Sequence, residues 1–364
     1  MRERLAERLL ATVMGWEDAD VARERPVLQA LADFKYNEYE QFQPGWRFIE
    51  SLARWLDQIP DHAERQAAYD LFRRELIFVS RAELHYAVAS VYPDIVRRRL
   101  LHRAAADLAL PEHLVARVAG DPAFAVRQRS CLFVGLSDGA RTDVLRRANP
   151  AQINNEQVVA DYNALQRKKD GVLEDLRADL TGALGEDAAA SAKFTTVVLL
   201  DDFSASGISY ARPEEAGKGK IARVAGMLGQ MPELVDLDDL EVIVVLYVAT
   251  TQALSYLDNA VAALAAEVGG AWHVEAVQRL AAEIIIKRGD DSTLDGLIDA
   301  LYDPIINDKH MKKGGADGRY GFADCGLPVI LSHNTPNNSI ALLWADTARV
   351  RGLFPRVTRH REDP

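Results

Sequence analysis

Val197-Val198-Leu199-Leu200-Asp201-Asp202-Phe203-Ser204-Ala205-Ser206-Gly207-Ile208-Ser209 is the stretch that decides how this chain folds. Its unbroken aliphatic run suits a strand buried on both faces, and such strands belong to parallel sheets. Two carboxylates follow at once, then small and hydroxyl residues around a glycine. In open α/β sheets, ligands bind beyond the carboxyl ends of strands, which is where this polar run emerges. A glycine there lets backbone N–H groups approach an anion. Adjacent carboxylates suit the vicinal hydroxyls of a ribose, directly or through a divalent cation. Hydroxyls and backbone N–H groups suit a terminal phosphate.

Further runs of the same kind lie on either side: Cys131-Leu132-Phe133-Val134-Gly135-Leu136, Glu241-Val242-Ile243-Val244-Val245-Leu246-Tyr247-Val248 and Leu327-Pro328-Val329-Ile330-Leu331. Helical patterns at 141–148, 156–184, 221–230 and 252–267 separate them. Apolar strands alternating with helices predict a mostly parallel α/β sheet with flanking helices. The first third differs. Leu5, Leu9, Leu10 and Val13 repeat at a helical period, and segments 26–42, 46–58, 61–79, 81–106 and 111–118 continue it. Nothing there alternates like a strand. The expected division is therefore an all-α domain over 1–128 and the α/β domain over 129–364. Trp46 and Trp55 are expected in the core of the helical part. Arg97, Arg98, Arg99 and Arg103 are expected on a solvated helix face, with a partner or nucleic-acid face as the alternative.

At residues 197–209 the chain resembles the type I phosphoribosyltransferases, whose signature is four apolar residues, two acidic ones, a short gap and Thr/Ser-Gly-x-Thr/Ser. Every element is present. The resemblance implies a phosphoribosyltransferase-like fold in which Asp201 and Asp202 hold the ribose hydroxyls, and also Mg²⁺, directly or through water. It implies that Ser204, Ala205, Ser206, Gly207 and Ser209 cradle the 5′-phosphate. In that family the loop after the first core strand receives pyrophosphate. Here this loop is Gly135-Leu136-Ser137-Asp138-Gly139-Ala140-Arg141. Gly135 and Gly139 permit close backbone approach, Ser137 and Asp138 line the turn, and Arg141 supplies a planar cation for the diphosphate. Asp138 and Asp143 either hold water around the magnesium ion or cap the following helix. The catalytic set the resemblance implies is Asp201, Asp202 and Arg141.

The chain also departs from the family, where a helix starts inside the phosphate loop. Here Tyr210-Ala211-Arg212-Pro213-Glu214-Glu215-Ala216-Gly217-Lys218-Gly219-Lys220 intervenes, and Pro213 with the glycines rules against one unbroken helix. Arg212, Lys218 and Lys220 either add charge near the phosphate or form an exposed surface loop. Arg167-Lys168-Lys169-Asp170 is expected at a charged helix end, with closure over pyrophosphate as the alternative.

The last strand runs into Ser332-His333-Asn334-Thr335-Pro336-Asn337-Asn338-Ser339. Amides offer donors and acceptors to a heterocycle edge, and an imidazole stacks or moves a proton. His333, Asn334, Asn337 and Asn338 are therefore expected in a base or acceptor pocket. With the helical first third, this run makes the whole chain similar to the phosphoribosyltransferase-like proteins of bacterial conflict systems. Genomic context ties those proteins to phage defence, including some retron systems. The resemblance implies an enzyme acting at C1 of a ribose 5-phosphate, taken from phosphoribosyl pyrophosphate or a nucleotide. The alternative is a sensor or interaction module that binds such ligands without turnover. A defence-system protein is the expected partner, through the helical domain.

The formal charge of −11 and pI near 5.3 argue against nucleic acid binding over the whole surface, so such contact is expected only through a partner. Cys131 and Cys325 have neither metal-ligand spacing nor a disulfide framework; both are expected as core residues of strand-like runs. Met1-Arg2-Glu3-Arg4 opens a charged helical pattern unlike a signal peptide. No apolar run approaches the ~18 residues of a membrane span. A cytoplasmic location is expected, with no membrane contact.

Overall fold

The computed structural model describes residues 3–212, 217–315 and 317–356. Met1, Arg2, Pro213, Glu214, Glu215 and Ala216 lie outside the described residues. The chain forms two compact units, 84–281 and a discontinuous one made of 1–83 with 282–364. No helix among the described residues is long and apolar enough to cross a membrane.

The strands are β1 Ile77–Val79, β2 Cys131–Gly135, β3 Val158–Val159, β4 Thr196–Ser204, β5 Glu241–Thr250, β6 Ala271–Leu280 and β7 Val329–Leu331. Unit 84–281 holds a five-stranded, all-parallel sheet in the order β3-β2-β4-β5-β6. Every residue of β2 and β5 is buried, as continuous apolar runs require when both faces are covered. Two strands were not expected. β3 is two residues long, following a capped turn at Asn155–Gln157, and the helix behind it starts only at Tyr162. β6 is an edge strand of mixed burial, in which Trp272, Val274 and Ala276 face the core cluster.

The other unit is mainly helical, and residues from both ends of the chain build it. Tyr36, Phe48 and Phe78 surround Phe354, with ring centroids 5.6–5.8 Å from it. Trp55 is fully buried and its indole donates to the Leu342 carbonyl at 3.1 Å. Trp46 is half-buried beneath the guanidinium groups of Arg54 and Arg351. Strand β1 pairs in parallel with β7, Ile77 opposite Val329. This pairing corrects two expectations. The first third does contain a short strand, and Val329–Leu331 belongs to this two-stranded sheet rather than to the main one.

The compact units accordingly do not divide at residue 128. Segment 84–128 packs with the main sheet because its arginines ion-pair at the amino ends of the strands. Arg99 bridges Glu241 at 3.1 Å and Glu275 at 2.8 Å. Arg103 donates to the Thr195 carbonyl at 2.7 Å and to Asp239 at 2.6 Å. Arg99 and Arg103 are therefore internal ties, not a solvated face. Cys131 is a buried β2 residue and Cys325 is buried after a short turn, not in a strand; burial pushes both thiols up, that of Cys325 to about 11.

Candidate functional site

Strand order fixes where a site belongs. The chain leaves β2 toward β3 on one side and leaves β4 toward β5 on the other. The loops after β2 and β4 therefore part in opposite directions between neighbouring strands, opening the crevice in which α/β sheets bind ligands. The two sequence-predicted loops meet at this switch point. Leu136 N donates to Leu200 O at 2.8 Å, extending the β2–β4 ladder to the end of both strands.

The loop after β4 is held from beneath. Thr250, at the end of β5, donates to the Ala205 carbonyl at 2.6 Å and caps the helix Thr251–Val268 by accepting from Ala253 N at 3.0 Å. Gly207 sits at φ +76°, and a Cβ there would stand 2.5 Å from the Tyr256 ring, so both its backbone and its packing exclude a side chain. The backbone N–H groups of Ser206, Gly207 and Ser209 find no acceptor among the described residues. Buried or half-buried backbone donors rarely go unmet, and a row of them in a turn makes an anion nest. Ser204, Ala205 and Ser206 are buried, while Ser209 is exposed.

Asp201 is fully buried at the end of β4. Its carboxylate accepts from the Ser137 hydroxyl, from Tyr210 Oη at 2.7 Å, from Asp202 N at 3.2 Å and from the Lys220 ammonium. Burial, reinforced by the Asp202 charge, pushes the Asp201 carboxyl above its ordinary value, and Lys220 opposes that shift. Asp202 is half-buried. It accepts from Phe203 N at 2.9 Å and faces the neighbouring loop so closely that a Cβ on Gly139 would lie 2.4 Å from its Oδ2.

In the loop after β2, Ser137 accepts from Gly139 N at 3.2 Å and starts the turn Asp138–Ala140. Tyr247 of β5 donates to the Ala140 carbonyl. The next residue, Arg141, has φ 46° and ψ 44°, a left-handed conformation costing a non-glycine residue roughly 1–2 kcal/mol. Its Nε is buried and without a partner among the described residues. A strained, half-buried guanidinium with an unmet donor suits an anion brought from outside. Gly135 has a structural reason of its own: a Cβ there would stand 2.1 Å from the Ala160 carbonyl oxygen. Asp138 is exposed. Asp143, in the first turn of the helix Thr142–Ala148, pairs with Arg147.

The other predicted residues fall on the following elements. His333, Asn334, Asn337 and Asn338 follow β7 in unit 1–83 with 282–364. The His333 carbonyl accepts from Gln41 at 2.8 Å. Asn338 donates to Phe322 O at 3.2 Å and to Cys325 Sγ at 3.3 Å, and Asn337 to Met311 Sδ at 3.4 Å. Arg167, Lys168 and Lys169 lie inside the helix Tyr162–Leu184, where Lys169 pairs with Glu233 at 2.6 Å. Lys218 is exposed, whereas Lys220 opens the helix Lys220–Gly229 and reaches Asp201. Tyr210, Tyr247, Thr250 and Tyr256 were missed by sequence reasoning. Each looks like an ordinary strand, loop or helix residue until the fold brings its hydroxyl to a loop backbone.

No group of three or more His, Cys, Asp or Glu among the described residues is placed to hold a metal ion. Asp201 is a poor metal ligand here, since protein donors already meet both its oxygens. Asp202, with Asp138 nearby in sequence to Gly139, fits a Mg²⁺ that arrives on a phosphate, because Mg²⁺ needs only one or two carboxylates besides substrate oxygens.

A family model described as PRTase-CE matches residues 52–356. No curated protein and no solved structure matches the chain.

Proposed function

Because the chain belongs to the conflict-system-associated phosphoribosyltransferase family, we propose that it acts at C1 of a ribose 5-phosphate drawn from phosphoribosyl pyrophosphate or a nucleotide. One observation carries this reading. An acidic strand end, a turn of N–H groups and an arginine Nε, the last two without partners among the described residues, share a single switch point. Each matches one part of such a ligand: hydroxyls, 5′-phosphate and diphosphate.

The chemistry is substitution at C1, in which the bond to the leaving pyrophosphate or base breaks as a nucleophile bonds to C1, through an oxocarbenium-like state. The 204–209 turn anchors the phosphate, the acidic end of β4 offsets positive charge gathering on the sugar, and Arg141 takes up negative charge on a departing diphosphate. Mg²⁺, when bound, supplies further neutralisation of the diphosphate. The helical unit is the proposed surface for a defence-system partner, and the proposed role is that of a cytoplasmic effector in antiphage defence, retron-type systems included. That role draws on the family's association with conflict systems.

A second reading, a sensor of the same ligands without turnover, draws on Asp201, whose commitment to protein donors leaves one acidic group for the sugar. The full chain incubated with Mg²⁺ and phosphoribosyl pyrophosphate, or with each nucleoside 5′-monophosphate, separates the two. Release of pyrophosphate or free base, followed by chromatography, identifies an enzyme. Saturable binding without product identifies a sensor. Neither binding nor product would overturn both.

A further inference from the structure

We propose that the two adjacent carboxylates divide the work: Asp201 is a positioning residue that ties the phosphate and diphosphate loops together, and Asp202 alone meets the sugar. This assignment rests on the ribose-phosphate reading of the site.

Alternation along a strand sends successive side chains to opposite faces. Both aspartates lie within β4, Thr196–Ser204, so they cannot make equivalent contacts with one ligand. A carboxylate has about four lone-pair sites. At Asp201 all are met by protein: Oδ1 by Ser137 and Asp202 N, Oδ2 by Tyr210 and Lys220. A ribose hydroxyl would have to displace one of these donors inside a fully buried pocket.

The donors come from different places in the chain. Ser137 belongs to the loop that ends at Arg141. Tyr210 immediately follows the phosphate turn, and its hydroxyl also lies 2.9 Å from Phe203 O. Lys220 is the first residue of the helix Lys220–Gly229, with its ammonium 5.0 Å from the Tyr210 ring centre. Gly219, at φ +117°, packs so tightly on the Tyr210 carbonyl that a Cβ would come within 2.3 Å of it, and Ile221 N donates to that carbonyl at 2.9 Å. Gly219 and Tyr210 thereby hold the start of the helix Lys220–Gly229 where Lys220 reaches the buried aspartate. One buried anion thus holds the ends of two ligand loops and a helix start.

The test uses the full chain with two probes, ribose 5-phosphate and inorganic pyrophosphate, titrated calorimetrically, alongside thermal melts. Asp202→Asn should weaken ribose 5-phosphate at least about tenfold and, in titrations without Mg²⁺, leave pyrophosphate within about twofold or tighter. Asp201→Asn should weaken both probes, although pyrophosphate has no hydroxyls, because both loops lose their tie. It should also lower Tm by roughly 5–10 °C, since the half-buried Lys220 ammonium loses its buried counter-charge. Lys220→Met should lower Tm likewise, and the double variant should melt higher than the sum of the single losses requires. Should Asp201→Asn not fold, recovery of folding in the double variant carries the same conclusion. An Asp201→Asn protein with unchanged Tm that loses ribose 5-phosphate alone overturns the division, as does strict additivity with Lys220→Met. If the wild-type protein binds neither probe, the ribose-phosphate reading fails, while the melts still decide whether the tie exists.

Discussion

Asp202→Asn is expected to lower affinity for phosphoribosyl pyrophosphate about 10–100-fold while the protein still folds. A carboxylate accepting sugar hydroxyls makes charge-assisted hydrogen bonds, each contributing about 1.5–3 kcal/mol, and about 1.4 kcal/mol is a factor of ten in affinity. Asparagine keeps the oxygen that accepts from Phe203 N at 2.9 Å but loses the charge, so the fold persists and the ligand does not. Calorimetry paired with a melt checks both halves. Unchanged affinity would remove Asp202 from the site.

Arg141→Gly is expected to act in opposite directions on stability and binding. The residue sits at φ 46°, ψ 44°, where glycine is comfortable and arginine is not, so replacement relieves that strain and, after glycine's greater loss of backbone freedom on folding, leaves a net gain of up to about 1 kcal/mol, raising Tm by a few degrees at most. Loss of the guanidinium removes a planar donor pair for a diphosphate, and affinity for pyrophosphate-bearing ligands should fall about 10–100-fold. Ribose 5-phosphate, which lacks the diphosphate, should bind almost as before. A variant that is both less stable and unaltered in pyrophosphate affinity would show that the conformation serves only the fold. Strain of this kind persists where something besides stability maintains it.

Much of this site was legible in the sequence because it is local. An apolar run followed by acids, hydroxyls and a glycine makes a strand and an anion turn without help from distant residues, and β2, β4 and β5 lie where their runs predict. What the sequence hid is long-range. Phe354 completes the aromatic cluster around Tyr36 and Phe48, so the C-terminal segment joins the first helices, and no local pattern marks that return. Strand β6 escaped notice because Ala271–Leu280 mixes core and exposed residues, as an edge strand does. Arg99 and Arg103 carry the composition of a solvated face yet bind Glu241 and Asp239. The unequal surroundings of Asp201 and Asp202 went unread, since both were expected on the ribose hydroxyls although alternation along β4 turns them to opposite faces. The donors around Asp201 were hidden too, since Ser137 and Lys220 stand 64 and 19 positions away.

A crystal structure of the full chain with ribose 5-phosphate tests the central claim most directly. The phosphate should lie about 3 Å from the backbone nitrogens of Ser206, Gly207 and Ser209, with the sugar hydroxyls on Asp202 and the Ser137–Asp201–Lys220 contacts intact. A sugar phosphate bound elsewhere on the chain, or one that reaches Asp201 by displacing Lys220, would contradict the account.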